Sequence, residues 1–182
     1  MDINSITRLK NAIFQKAYRE GDFTLASGQK SSYYIDLKEV TLDGEGSALI
    51  GEVLYPVALE WDAQGVGGLE LGSVPISTAV CLVAAQKGTR LSNLIVRKEA
   101  KGHGTRKAVE GKLVAGMRVM VVEDVVSTGS SSLKAVAALK EAGAQVAGVV
   151  TVVDRLMGGA ELFEKEGIAF KAIFDIGQIR QD

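Results

Sequence analysis

The segment 119–132, in the second half of the chain, constrains the fold more than any other. Val119–Val122 is an unbroken apolar run rich in β-branched residues, the pattern of a strand buried on both faces of a parallel sheet. Two acids, Glu123 and Asp124, follow at once, and a short loop rich in hydroxyl groups and glycine then leads into a helix predicted over 131–141. A buried strand, a loop and a helix in this order predict a βαβ unit and therefore an α/β fold.

Strands and helices alternate along much of the remaining sequence. The pattern predicts strands near 65–69, 94–96, 146–153 and 169–176, two short strands between 23 and 37, and helices over 4–18, 47–60, 76–86 and 160–166. Such alternation is typical of a mainly parallel sheet flanked by helices. The chain has 182 residues and shows no repeat, linker or low-complexity tract, so we predict a single domain over residues 1–182.

Composition excludes several classes of function. Lys and Arg number 21 against 22 Asp and Glu, a formal net charge of -1, so no global charge favours nucleic acid or a membrane as partner. The single cysteine, Cys81, excludes an intramolecular disulfide and any metal site built from several cysteines. The sequence shows neither a signal peptide nor an apolar stretch long enough to span a bilayer, and we therefore expect a cytoplasmic protein.

The loop after the predicted strand at 119–122 has the chemistry of a phosphate site. Residues 127–131 offer backbone N–H groups, hydroxyls and the positive end of a helix dipole, beyond the carboxyl end of a strand where ligands of open α/β sheets bind. Glu123 and Asp124 stand just before this loop, where they can accept hydrogen bonds from sugar hydroxyls. The segment therefore indicates a ribose 5-phosphate site. The alternative is an ordinary capped helix preceded by two solvated acids.

A second cluster of charge occurs in the segment 97–107, which carries five basic residues and the only histidine of the chain, His103, between Gly102 and Gly104. The basic residues are Arg97, Lys98, Lys101, Arg106 and Lys107. A basic loop with flanking glycines suits a lid that closes over a polyanion and excludes water. The alternative is an ordinary solvated run of charge.

These motifs resemble those of a known family. The segment Val121–Ser131 resembles the phosphoribosyl pyrophosphate (PRPP) motif of the type I phosphoribosyltransferases. The segment Arg97–Gly104 is similar to the catalytic loop of the orotate phosphoribosyltransferases within that superfamily. Two further stretches agree in the right order: Phe23–Tyr34 resembles the substrate-covering segment of those enzymes, and Val152–Gly159 resembles their base-recognition turn.

The resemblance implies a fold and an activity. The fold would be the type I phosphoribosyltransferase fold, a mainly parallel central sheet flanked by helices, with a small hood formed mainly by residues 1–40 and the C-terminal segment. The activity would be that of a glycosyltransferase of the pentosyltransferase class, which converts PRPP and orotate to orotidine 5-monophosphate and pyrophosphate in de novo pyrimidine biosynthesis. The resemblance also implies a homodimer in which the loop 97–107 of each subunit reaches the partner's site.

The same resemblance implies roles for individual residues. Lys101, His103 and Asp124 would be catalytic, and Arg155 would meet the orotate carboxylate. The orotate-binding set would be Ser127, Arg155, Tyr33 and Tyr34. The PRPP-binding set would be Arg97, Lys98, Lys101, His103, Glu123, Asp124, Val125, Val126, Ser127, Thr128, Gly129, Ser130 and Ser131. The cofactor would be Mg²⁺, held by substrate oxygens and water, with no protein ligand beyond a contact that Asp124 could make.

Three positions depart from the family pattern, and rival functions remain open. Ala26 stands where a lysine is frequent, the bend 71–75 lacks a tyrosine–lysine pair, and 105–107 replaces an acidic, glycine-rich stretch. The rivals are a phosphoribosyltransferase for a purine or another pyrimidine, a PRPP-sensing regulator that binds nucleic acid, and a plain nucleotide-binding module. Arg155 favours orotate as the base, although by position it could also be a surface arginine paired with Asp154.

Overall fold

The computed structural model describes residues 2–24, 28, 30–99 and 108–180. Helix α1 spans Ile3–Ala12, and the Asp2 carboxylate caps its start by accepting the backbone N–H of Ser5 at 3.0 Å. The helix passes into a π-helical turn over Ile13–Ala17. Strand β1 (Tyr18–Thr24) follows and pairs antiparallel with β2 (Lys30–Ile35). Two short strands were predicted between 23 and 37, but the first of them begins earlier, at Tyr18.

Six further strands of the described residues form the central sheet. They are β3 (Gly65–Leu69), β4 (Ser92–Val96), β5 (Val109–Glu110), β6 (Arg118–Val126), β7 (Gln145–Asp154) and β8 (Phe170–Asp175). Their order in the sheet is β5-β4-β3-β6-β7-β8, and every neighbouring pair is parallel except β4 with β5. The predicted mainly parallel sheet of an α/β fold is thus confirmed.

Helices cover both faces of this sheet. They are α2 (Lys38–Thr41), α3 (Gly44–Glu60), α4 (Ser73–Gln86), α5 (Ser130–Glu141), α6 (Gly159–Lys165) and α7 (Ile176–Arg180). The buried run of β6 alternates between two apolar clusters: Met120 and Val122 pack with α1, α3 and α4, whereas Val119 and Val121 pack with α5 and α6. All four side chains are fully buried, as expected for a central strand covered on both sides.

The structure corrects several predicted boundaries. The helix predicted over 4–18 ends as a π-helical turn at Ala17, because Tyr18 already pairs in β1. Helix α4 begins at Ser73 rather than at 76, since proline is tolerated within the first turn of a helix and Pro75 lies there. The elements α2, β5 and α7 were not predicted, and each is only two to five residues long. No helix within the described ranges is long and apolar enough to cross a membrane.

Candidate active site

The loop between β6 and α5 encloses a small cavity. Gly129 adopts the left-handed conformation with φ of 79°, which glycine reaches without strain and which turns the chain into α5. Residues 125–132 and Glu123 line a cavity of about 110 Å³ at this turn. The start of α6 packs against the same loop, because a Cβ on Gly159 would lie 2.9 Å from the carbonyl oxygen of Ser127. The residues 127–131, predicted to bind a phosphate, thus line one concave space beside the N-terminus of a helix.

The two acids at the end of β6 have different surroundings. Glu123 is buried, with 7% of its surface exposed, and its Oε2 accepts a hydrogen bond from the Ser132 hydroxyl at 3.0 Å. Burial, together with the negative charge of Asp124, raises the pKa of Glu123 from 4.5 to about 8, and the Ser132 hydrogen bond opposes that rise. Asp124 is only partly buried, and its Oδ1 accepts the backbone N–H of Val125 at 2.8 Å.

A larger cavity of about 320 Å³ adjoins the acid pair. It is lined by Lys38, Leu69, Glu70, Leu71, Gly72, Lys98, Glu123, Asp124 and Ser131. The bend at Gly72 approaches Asp124 so closely that a Cβ on Gly72 would lie 2.7 Å from the carboxyl group. Glu70 accepts the backbone N–H of Lys98 at 3.0 Å and so ties the start of the basic segment to this bend. The bend 71–75 therefore lies directly against the acid pair.

The described part of the basic segment lies beside the same site. The backbone N–H of Arg97 donates to Ala108 O at 2.9 Å, and its guanidinium lies 3.6 Å from the Glu110 carboxylate. Arg97 and Lys98 line a further cavity of about 420 Å³ together with Ser131. The predicted residues Lys101 and His103, with Arg106 and Lys107, lie outside the described residues.

The base-recognition turn meets the N-terminal hairpin. Nε of Arg155 donates to the Tyr33 hydroxyl at 3.1 Å, and its Cζ lies 4.9 Å from the centroid of that ring, within the range of a cation–π contact. The Asp154 carboxylate, which the rival interpretation pairs with Arg155, accepts the backbone N–H of Leu156 at 2.9 Å. The structure thus brings together Arg155 and Tyr33, two predicted orotate contacts that are 122 residues apart in the chain.

Tyr34, another of the predicted orotate contacts, lies apart from this pair. Tyr34 is 43% exposed, and its ring contacts that of Phe23 with centroids 5.6 Å apart. Successive side chains of a strand point to opposite faces, so the neighbours Tyr33 and Tyr34 in β2 cannot both face Arg155. Of these two tyrosines, Tyr33 contacts Arg155 and Tyr34 contacts Phe23.

Two site residues escaped the sequence analysis. Ser132 donates a hydrogen bond to Glu123, nine residues before it in the chain. That spacing could have identified Ser132 from the sequence, because the first turn of α5 lies over the end of β6. Lys38 lines the cavity of about 320 Å³ beside Asp124. No local pattern marks Lys38, because it begins the four-residue helix α2 and reaches the site only through the tertiary fold.

Comparisons with known proteins agree on one family. The sequence model of the phosphoribosyl transferase domain matches residues 68–171. The orotate phosphoribosyltransferase of Nostoc sp. is 48% identical over 182 residues, which cover 99% of this chain and 88% of the relative. That of Aquifex aeolicus is 44% identical over 179 residues, with 98% of each chain covered.

Solved structures agree with the sequence comparisons. The crystal structure of Mycobacterium tuberculosis orotate phosphoribosyltransferase in complex with Fe(III) dicitrate has a TM-score of 0.86 and 39% identity, and covers 96% of this chain and 98% of its own. The same enzyme in complex with PRPP has a TM-score of 0.81 and 36% identity, and the match covers 97% of this chain and 99% of that chain. The chain therefore belongs to the phosphoribosyltransferases and, among them, to the orotate phosphoribosyltransferase family.

The buried Glu123 gives stability a pH dependence of definite sign. Its pKa in the folded protein is about 8 against an ordinary 4.5, so the unfolded chain loses this proton first as the pH rises. Below about pH 4.5 Glu123 is protonated in both states and does not lower the free energy of unfolding. Between about pH 4.5 and pH 8 it is ionised only in the unfolded chain, so the free energy of unfolding falls over this range. Glu123→Gln removes the titration, so we expect its stability relative to the parent protein to increase from about pH 5 to pH 8 in urea unfolding.

The matched control is Glu141→Gln, at the exposed end of α5, which makes the same chemical change away from the buried site of Glu123. A constant difference between Glu123→Gln and the parent over the whole range would contradict the raised pKa.

Proposed function

We propose that this chain transfers the 5-phosphoribosyl group of PRPP to orotate and releases orotidine 5-monophosphate and pyrophosphate, a step of de novo pyrimidine biosynthesis. One observation carries the assignment of the site. Val126 of β6 pairs with Asp154 of β7, so the phosphate loop and Arg155 leave the sheet at the same edge. The backbone N–H of Arg155 donates to Val126 O at 2.9 Å and fixes the two segments to each other.

The geometry supports a defined position for the phosphoribosyl group. The cavity of about 110 Å³ would take the 5-phosphate on the backbone N–H groups and hydroxyls of residues 127–131. The acid pair would accept hydrogen bonds from the ribose hydroxyls, which suits its place between the two cavities. The 1-diphosphate would then extend into the cavity of about 320 Å³, towards the bend at Gly72 and towards Lys98.

The reaction needs charge stabilisation more than a protein nucleophile. Displacement at the anomeric carbon builds positive charge on the ribose ring and negative charge on the departing diphosphate. Lys101 and His103 would stabilise the diphosphate, and His103 could protonate it as it leaves. Support for these roles comes from the motif at 97–104 and from Arg97 and Lys98, which border the site. Removal of one such donor would cost about 10²–10³ in rate.

The donor groups fit Mg²⁺ held mainly by substrate. Asp124 offers a carboxylate, the hard oxygen ligand that Mg²⁺ prefers, and Mg²⁺ usually keeps water and phosphate oxygens as further ligands. Within residues 2–24, 28, 30–99 and 108–180, no group of three or more His, Cys, Asp and Glu side chains could enclose the ion alone. When bound, Mg²⁺ would neutralise diphosphate charge, and Asp124 would orient the ribose hydroxyls next to it.

Contacts of the N-terminal hairpin and of α7 support the proposed hood and the proposed single domain. The hairpin β1–β2 brings Tyr33 to Arg155, and Arg180 of α7 lies 5.8 Å from the same ring. We infer that residues 1–40 and the C-terminal segment together form the hood over the base. One apolar cluster extends from Leu9 to Ile179, which supports a single domain. The cytoplasmic location stays a prediction.

Spectrophotometric assays with a panel of bases test the proposed function most directly. We expect Mg²⁺-dependent loss of orotate in the presence of PRPP and no comparable turnover of uracil or hypoxanthine. A neutral base would leave the Arg155 guanidinium without its carboxylate partner, which is a costly mismatch. Turnover of another base but not of orotate would overturn the base assignment. Binding of PRPP without any turnover would instead favour the regulator.

Arg155→Ala should affect the two substrates unequally. Loss of a charged, bidentate hydrogen bond should raise the KM for orotate about 10- to 100-fold, with little change in the KM for PRPP. Steady-state kinetics with each substrate varied measures both values. Arg90→Ala, at an exposed position, is the matched control for loss of an arginine. Equal small effects on both KM values would exclude the role of Arg155 in base selection.

We further propose a homodimer in which the loop 97–107 serves the partner's site. A Lys101→Ala subunit keeps its acids and an Asp124→Ala subunit keeps its loop, so a mixed dimer should regain activity in one of its two sites. The measurement is activity after the two inactive variants are mixed and allowed to exchange subunits. Absence of recovery, with mixed dimers demonstrated, would contradict exchange of the loop.

A further inference from the structure

Lys38 lies beside the acid pair Glu123 and Asp124, and the proposed reaction gives it no role. It begins α2, directly after the hairpin strand β2, and its neighbours Leu37 and Val40 are buried in the core. These anchors fix the backbone of α2, while 46% of the Lys38 side chain stays exposed. Lys38 lines the cavity of about 320 Å³ together with Asp124 and Gly72.

The described residues that line this cavity offer few cations for a group as negative as a diphosphate. Its lining includes three acids, Glu70, Glu123 and Asp124, and the bend 70–75 contains no basic residue. Among the residues described around the cavity, the positive charges are those of Lys38 and Lys98. Both lysines would attract a polyanion bound there, whereas the acidic side chains of Glu70 and Asp124 oppose its entry.

The ammonium group of Lys38 forms an ion pair with Asp36 beside the site. Its Nζ lies 2.5 Å from Oδ1 of Asp36, and the same oxygen accepts the backbone N–H of Lys38 at 3.1 Å. The hydrogen bond with Asp36 raises the pKa of Lys38 against the opposing effect of burial, and the charge of Asp124 contributes to the rise. The group therefore stays charged, and its exposed ion pair with Asp36 is weak enough to be exchanged for a stronger anion.

The two cavities share Glu123 and Ser131. A molecule with its phosphate in the cavity of about 110 Å³ and its sugar at the acid pair therefore carries its 1-substituent into the larger cavity. Lys38 lines the larger cavity and not the smaller one, so it can distinguish a diphosphate at that position from the 5-phosphate.

We propose that Lys38 binds the diphosphate of PRPP and the pyrophosphate product, and contributes nothing to the 5-phosphate. The inference rests on the proposed function. It adds the ammonium group of Lys38, from α2, to the site that binds the diphosphate of PRPP. Lys38 thereby links the substrate-covering hairpin to the departing group, because α2 follows β2 directly in the chain.

Calorimetric titration with three ligands tests this role. Lys38→Ala should weaken binding of PRPP and pyrophosphate about tenfold or more and leave ribose 5-phosphate, which lacks the diphosphate, unchanged. Lys38→Arg, which keeps the charge, should restore most of the loss. Lys140→Ala removes an exposed lysine at the far end of α5 and should bind all three ligands as the parent protein does.

The outcomes separate this inference from the proposed function. Equal weakening of PRPP and ribose 5-phosphate by Lys38→Ala, or no weakening of either, would overturn the role of Lys38 even if the parent protein turns over orotate. Failure of the parent protein to turn over orotate would overturn the proposed function. In that case, selective loss of PRPP and pyrophosphate in Lys38→Ala would still support the diphosphate subsite.

Discussion

The parallel pairing of β6 with β7 is the constraint on which the site depends. Both strands are buried over most of their length, and their registers carry Val126 and Asp154 to the same edge of the sheet. Ligands of open α/β sheets bind at that edge, outside the carboxyl ends of the strands. The loops there do not pack in the core, whereas the strand ends from which they leave are fixed by the sheet. The hydrogen bond from Arg155 to Val126 O then sets the distance between phosphate loop and base turn.

A carboxyl group buried at the end of a core strand has a cost in stability. Glu123 is held by Ser132 in a setting that favours its neutral form. A buried acid at this point stabilises the fold less than an apolar residue would, which is typical of positions kept for function. The adjoining Asp124, only partly buried beside Gly72, is better placed to meet a ribose hydroxyl.

The sequence predicted the features that local patterns encode. The apolar run of β6, its two acids and the hydroxyl-rich loop fall within fourteen consecutive residues, and the structure places them as a strand, a strand end and a helix start. Shorter elements such as α2 and β5 have too few residues for a periodic pattern. Their existence depends on tertiary contacts, and so does the position of Lys38.

Tyr33 and Tyr34 illustrate the same limit within one strand. Both were predicted to contact orotate, yet alternation along β2 directs Tyr33 towards Arg155 and leaves Tyr34 against Phe23. Knowledge that the segment is a strand was enough to show that the two side chains point to opposite faces, but only the packing of the hairpin on the turn at Arg155 shows which of them meets that arginine. The contact of each tyrosine with orotate stays a prediction. The family resemblance indicated the segment that contains both tyrosines, but it did not show which face of β2 lies towards Arg155.

The central claim is that the phosphate loop, the acid pair and Arg155 form one nucleotide site, and a crystal structure of the complex with orotidine 5-monophosphate tests it most directly. The account predicts the 5-phosphate within residues 127–131, the ribose hydroxyls at Glu123 and Asp124, and the base carboxylate on Arg155. A nucleotide whose phosphate lies outside that loop, or whose carboxylate lies away from Arg155, would contradict it.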